Sequence, residues 1–348
     1  MPTVLYRLGQ LAFRHRRRVL ALWLVVVAAV VACMVAFGGS SKLDNTFTVP
    51  GSQSQQALDR MKTDFPASSG TSAQLVFTAP AGHKVTEAAQ HAQIDTALRA
   101  AATAPQVAKV VSPFTAHTLS ADGGTAIAQV QYEVPQSSLD PGALDALQSA
   151  VAVAGHDGMQ VQLGGQAFGN APSKSGSADL IGVGVALVIL ILTFGSLTSA
   201  GIPMASALVG VATAVCGLLS LTGTVAISST AQSLALMIGL AVGIDYALFI
   251  VTRHRSQLAR GMDVAESAAL AVGTAGSAVV FAGATVVIAM AGLTVVGIPY
   301  LTAMGLCAAA AVLTGVLVAI TLLPAVLGFA GTRMMPKPGS RAVSRPAS

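Results

Sequence analysis

Six runs of apolar residues set the terms for everything else in this chain: residues 19–37, 178–197, 201–222, 232–252, 270–296 and 299–329. A hydrocarbon layer about 30 Å thick is crossed by about 20 helical residues, each adding about 1.5 Å, so every run is of spanning length. Within that layer the backbone must satisfy its own polar groups, which leaves helices as the structure for isolated runs of this kind. The composition agrees. It is 53% hydrophobic and 9% charged, whereas soluble domains carry about a quarter charged residues. The net charge of +5 comes from Lys and Arg clustered beside apolar runs, with no basic stripe interleaved with aromatics, so nucleic acid is not an expected partner.

Those cations orient the chain. Arg14-His15-Arg16-Arg17-Arg18 precede the first run, Arg253, Arg255 and Arg260 follow the fourth, and Arg333, Lys337, Arg341 and Arg345 follow the sixth. The connections at 222–232 and 297–299 contain neither Lys nor Arg. With the N-terminus inside, all three cationic stretches fall on the cytoplasmic side, as the positive-inside rule requires. Residues 38–177 then lie outside, the loop 253–269 inside, and the tail 330–348 inside. Residues 1–18 are expected along the cytoplasmic surface, with Leu5, Leu8 and Ala12 on one helical face. Val31-Ala32-Cys33 loosely resembles a lipoprotein cleavage site, but the apolar run continues past Cys33, which favours an uncleaved first helix. Cys33, Cys216 and Cys307 all lie in apolar runs without metal-ligand spacing and read as packing residues.

Residues 38–177 are polar and rich in Gln, Asp and Pro, and read as a folded extracytoplasmic domain. After a short helix at 53–63, the pattern predicts strands at 74–78, 107–111, 126–134 and 160–163, with helices at 86–102 and 141–154. Asp122-Gly-Gly-Thr125 supplies a turn before the third strand. The order β-α-β-β-α-β is the ferredoxin-like pattern, which by itself names no function. The expected fold class is therefore an α-helical membrane protein of six transmembrane helices, with an α+β ferredoxin-like domain between the first and second.

The residue that points to chemistry is Asp245. It lies eight positions before Arg253, about 12 Å along the helix from the charged end and hence near mid-membrane. An ionisable group there costs at least a few kcal/mol unless it is protonated, paired or facing a wet cavity, which makes it a functional candidate; the structural alternative is an interhelical hydrogen bond. Tyr246 follows directly and points about 100° away around the helix, toward a different neighbour. Gly239 and Gly243 form a small-xxx-small pair that lets another backbone approach. In the fifth run Thr274, Ser277, Phe281 and Thr285 share a face. Their hydroxyls either support Asp245 or satisfy carbonyls of their own helix.

No phosphate-binding Gly-Lys-Ser/Thr loop, Gly-x-Ser-x-Gly elbow or His-Glu-x-x-His motif occurs, so neither ATP hydrolysis nor a familiar hydrolytic site is indicated. His83, His91, His117 and His156 are scattered; no metal site and no cofactor are expected. A mid-membrane acid without a nucleotide site favours transport driven by the proton gradient.

Gly243-Ile-Asp245-Tyr246-Ala-Leu-Phe-Ile-Val-Thr-Arg253-His-Arg255, with Thr274-Ala-Gly-Ser-Ala-Val-Val-Phe-Ala-Gly283 and Thr321-Leu-Leu-Pro324-Ala, resembles the MMPL family of the resistance-nodulation-division superfamily. Val49-Pro-Gly-Ser-Gln-Ser-Gln55 and Val111-Ser-Pro-Phe114 are also similar to that family. The resemblance implies a proton-motive-force-driven exporter of lipids or hydrophobic metabolites in the bacterial cytoplasmic membrane, and not an enzyme. Its proton relay would be Asp245 and Tyr246, and its external domain a porter subdomain. Family members have two such halves and this chain has one. The resemblance thus implies either a partner half or a second copy of the chain, in a homodimer or a higher oligomer. A sterol-sensing-domain-like lipid-binding module and an inactive truncated fragment are the alternatives.

Overall fold

A computed structural model describes residues 2–37, 48–64, 70–152, 158–169, 176–222 and 227–334. The chain divides into an α/β unit, Asp44–Ser173, and a helical unit formed by Met1–Leu43 and Lys174–Ser348.

In the α/β unit, α3 (Gln53–Asp64) precedes β1 (Ser72–Thr78), α4 (Ala88–Ala102), β2 (Val107–Val111), β3 (Thr125–Tyr132), α5 (Pro141–Ala152) and β4 (Gln160–Gly164). The sheet is antiparallel at every pairing, in the order β2-β3-β1-β4. Period-two alternation decides which face is covered. Ala73, Leu75 and Phe77 of β1 and Ala126, Ala128, Val130 and Tyr132 of β3 are buried against Ile94, Ala97 and Leu98 of α4 and Ala143, Leu147 and Val151 of α5. Ile127 turns to the other face and stays 41% exposed. The helix predicted at 86–102 starts two residues later, because Glu87 is the capping position; its carboxylate accepts from the Lys84 backbone N–H and sits 2.8 Å from His83 Nδ1. The last two residues of the helix predicted at 141–154, and His156, lie outside the described residues.

Tyr132 is fully buried, and its hydroxyl has no hydrogen-bond partner among the described residues. Burial pushes the phenol up to about 12. The folded state therefore holds the neutral phenol more tightly than the unfolded chain, whose tyrosines titrate near 10. This contribution to stability is fully present below pH 10 and is lost as pH rises from about 10 to 12. Tyr132→Phe removes that loss. Because it leaves no hydroxyl partner stranded, it lowers stability little below pH 10. Thermal unfolding of the whole protein between pH 8 and 11.5, followed at the α/β transition, checks both statements; a clear destabilisation by Tyr132→Phe at pH 8 would contradict them.

The helical unit contains α1 (Pro2–Arg14), α2 (Arg16–Phe37), α6 (Gly176–Phe194), α7 (Leu197–Leu221), α8 (Ser229–Leu258), α9 (Val264–Ala291) and α10 (Pro299–Ala330). Five of these are long and apolar enough to cross a membrane: α2, α7, α8, α9 with its short 3₁₀ continuation to Val296, and α10. The run expected at 178–197 is helical, but its described apolar part is the shorter stretch Ile181–Phe194. The helix ends at Phe194 because Gly195 takes a left-handed conformation (φ 63°) and its N–H closes on the Ile191 carbonyl. α10 is the central post: two thirds of its apolar window is buried, against none for α2. It packs on α7, α8 and α9, and also on α1 and α2.

α1 does more than lie along a surface. Leu5 and Ala12 are buried, Gly9 sits against Ala269 and Val272 of α9, and Gly273 of α9 sits against Tyr6. The face of Leu5, Leu8 and Ala12, expected along the membrane surface, packs instead on α9 and α10. Arg16, in the first turn of α2, donates to the Gly328 carbonyl of α10 and lies over the Phe329 ring. The tail cations Lys337, Arg341 and Arg345 lie outside the described residues. Cys33 is exposed, Cys216 half-buried and Cys307 buried, all with free thiols.

Candidate functional site: the Asp245 face of α8

α8 begins where the Ser228 hydroxyl accepts the Ala231 N–H at 3.0 Å, an N-cap, and runs unbroken for 30 residues. One face is built from small residues at intervals of four. Ala231, Ala235, Gly239, Gly243 and Ala247 are all buried. A Cβ on Gly239 would lie 3.1 Å from Ala311 Cβ of α10, and one on Gly243 would lie 3.2 Å from Ala207 Cβ of α7. Both glycines therefore sit at helix–helix contacts with no spare room, between α10 on one side and α7 on the other.

The opposite face carries Ser233, Met237, Ala241, Asp245, Phe249 and Arg253, again at intervals of four, and all are exposed. Met237 is 63% exposed and Phe249 54%. Asp245 therefore sits midway along an uncovered stripe, where its carboxylate has no hydrogen-bond or ion-pair partner among the described residues. Tyr246 points elsewhere. It is half-buried, and a Cβ on Gly283 of α9 would meet its ring at 3.6 Å and Val316 of α10 more closely still. Only a glycine at 283 leaves room for both neighbours.

The hydroxyls of α9 are occupied within their own helix. Thr274 donates to Leu270 O, Ser277 to Thr274 O and Thr285 to Ala282 O, each at 2.7 Å. Of the two readings open for them, this geometry matches the local one. Phe281 on the same helix is 73% exposed.

The C-terminal end of α8 holds a feature that counting charges does not single out. In Arg253-His254-Arg255 only Arg253 is exposed; His254 and Arg255 are buried. Ser267, in the first turn of α9, places its Oγ 2.8 Å from His254 Nδ1, 3.0 Å from His254 O and 3.1 Å from Gln257 Oε1. Arg255 donates from Nη2 to Phe194 O at 3.2 Å, with its guanidinium carbon 4.9 Å from the Phe194 ring centroid. Uniform Lys/Arg counting treats such a cluster as a topology signal; a signal for burial was the helical period itself, which brings 254 onto the Ala247–Ile250 face. Among the described residues no group of three or more His, Cys, Asp or Glu could hold a metal ion.

Several membrane-length helices with a separate α/β unit define a multi-pass membrane protein. The chain belongs to the MMPL family, whose model matches residues 46–346. It is 40% identical over 338 residues to membrane protein YdfJ of Bacillus subtilis, covering 97% of this chain and 46% of that protein. It is 33% identical to putative membrane protein SCO6666 of Streptomyces coelicolor, covering 96% and 48%. It is 30% identical to the mycolic acid-containing lipids exporter MmpL11 of Mycolicibacterium smegmatis, covering 93% and 35%. The chain thus spans half or less of the length of these relatives.

The glycine contacts predict a graded response. Gly243→Val forces a branched side chain into the Ala207 backbone and should cost about 1–3 kcal/mol or more by overpacking. Gly184→Ala on α6, with nothing within 4 Å of the added Cβ, should be neutral or mildly stabilising. Melting of the detergent-solubilised variants separates the two; equal midpoints would show that α8 does not pack as described.

Proposed function

We propose that this chain is half of a proton-motive-force-driven exporter of lipids or hydrophobic metabolites, with Asp245 and Tyr246 as its proton relay. The observation that carries the reading is the placement of Asp245 on a face of α8 that the other described residues leave uncovered, at a position the hydropathy pattern puts near mid-membrane depth. A carboxylate facing hydrocarbon is costly, so that face belongs against a second protein surface or a wet cavity. Secondary transporters commonly supply such a surface by repeating the unit, and site residues then meet where the halves join. Relatives about twice as long as this chain support the same arrangement. The other half is either a partner segment or a second copy, which in a two-fold dimer would face Asp245 across an isologous seam.

In this reading α6 is the sixth spanning helix, both termini are cytoplasmic, and the membrane is the bacterial cytoplasmic one. The α/β unit is an external ferredoxin-like porter domain that takes up cargo. A lipid cargo is supported by the relative named as an exporter of mycolic acid-containing lipids. Tyr246 acts from the α9 side. Its hydroxyl passes a proton between the Asp245 face and the α9–α10 seam, while Thr274, Ser277 and Thr285 line the neighbouring surface. Gly239, Gly243 and Gly283 allow the close packing that fixes α8 beside its neighbours.

Asp245→Asn keeps the side-chain volume and removes the titrating group. Untargeted mass spectrometry of lipids shed by cells producing each form should show the protein-dependent species lost with Asp245→Asn, at unchanged membrane abundance of the protein. Tyr246→Phe should reduce them while retaining the packing against Gly283. Wild-type export by Asp245→Asn would overturn the relay.

A further inference from the structure

A buried cation joins the helix that carries Asp245 to the helix through which the chain leaves the α/β unit. Arg255 is 6% exposed, and no carboxylate lies within ion-pair distance among the described residues. Its partners are the Phe194 carbonyl at 3.2 Å and the Phe194 ring at 4.9 Å, while its Nε has no partner among the described residues. Burying a guanidinium without a counter-charge is unfavourable, so the contact must be held by what surrounds it. Phe194 is the last residue of α6. Its carbonyl is one of those a helix leaves unpaired at its C-terminus, where the helix dipole also favours a cation. The guanidinium lies over the ring and donates to the carbonyl of the same residue, a combination that suits its flat, forked shape better than an ammonium.

The same end of α8 is fixed on its other side. Ser267 of α9 bridges the His254 ring, the His254 carbonyl and Gln257. With α9 held through Ser267 and α6 through Arg255, the inner end of α8 has little freedom to slide past either. Along its length α6 packs mainly on α7, to which a two-residue turn joins it. The Arg255 contact is therefore its specific polar tie to α8. Ten residues separate Asp245 from Arg255, about 15 Å of rigid helix.

We infer that Arg255 is a positioning residue that makes the inner ends of α6 and α8 move as one body, carrying a change of charge at Asp245 to the helix that leads into the α/β unit. This rests on the reading of α8 as the relay helix.

The test measures the distance between the two helix ends by double electron–electron resonance, with spin labels at the exposed positions Thr193 and Thr252. The full chain is held in lipid nanodiscs, on a background of Cys33→Ala, Cys216→Ala and Cys307→Ala. With Arg255 present the distribution should be narrow and the same whether residue 245 is Asp or Asn. With Arg255→Met it should broaden or shift by about 2 Å or more, the scale of helix shifts in switching proteins, and should differ between Asp245 and Asp245→Asn. An unchanged narrow distribution in Arg255→Met overturns the tie. A broadening that ignores residue 245 overturns it as well, since it would show a static brace. Arg255→Lys keeps a cation and loses the stacked face; it should give a smaller change in the same direction, and it carries the test if Arg255→Met does not assemble. Export retained by Asp245→Asn would overturn the relay reading whatever these distances show.

Discussion

A carboxylate facing hydrocarbon is costly, and the exposed position of Asp245 on α8 is the constraint on which the reading of the helical unit depends. Asp245 interrupts the apolar stretch Leu234–Val251 of α8, with its face turned away from the packed core. Nothing within the described chain neutralises it. Such an acid needs a proton, a partner or a wet cavity, and under the proposed function a second protein surface supplies the missing wall and a route for the proton.

What lets α8 stand in that position is small-residue packing behind it. Gly239 against Ala311 and Gly243 against Ala207 bring three backbones close together, and Gly283 opens the space that the Tyr246 ring occupies. In lipid there is little hydrophobic gain in bringing helices together, so dense van der Waals contact has to supply the association. α10 receives most of it. The helix ends on that side are then fixed by polar contacts: Arg16 on α10, Ser267 between α8 and α9, and Arg255 on the end of α6.

Much of this was legible in the residue pattern. The spanning helices follow from hydropathy, and the strands expected at 74–78 and 126–134 appear at Ser72–Thr78 and Thr125–Tyr132, where burial alternates residue by residue although Val76 and Ile127 are apolar on the uncovered face. The glycine pair on α8 announced a close contact, though not its partners. Other features were hidden for physical reasons. The threonines and serine of α9 share a face with any supporting set, but a hydroxyl in a helix can always turn to the carbonyl three or four residues back, and these do. Arg253 and Arg255 look alike in a cationic cluster; rotation by two residues around the helix sends one to the surface and the other under Phe194.

We propose that the Asp245 stripe lies against protein when the chain is assembled in a membrane. The most direct test is the oxygen accessibility of a spin label at Ala241, one turn from Asp245, in the transporter assembled in nanodiscs, with a label at Val188 on α6 as the lipid-exposed reference. Molecular oxygen partitions into the bilayer core, so a label facing lipid relaxes fast and a covered one does not. The account predicts that the Ala241 label is protected relative to Val188. Equal accessibility at the two positions would mean that the stripe faces lipid, and that Asp245 is not at a seam between two halves.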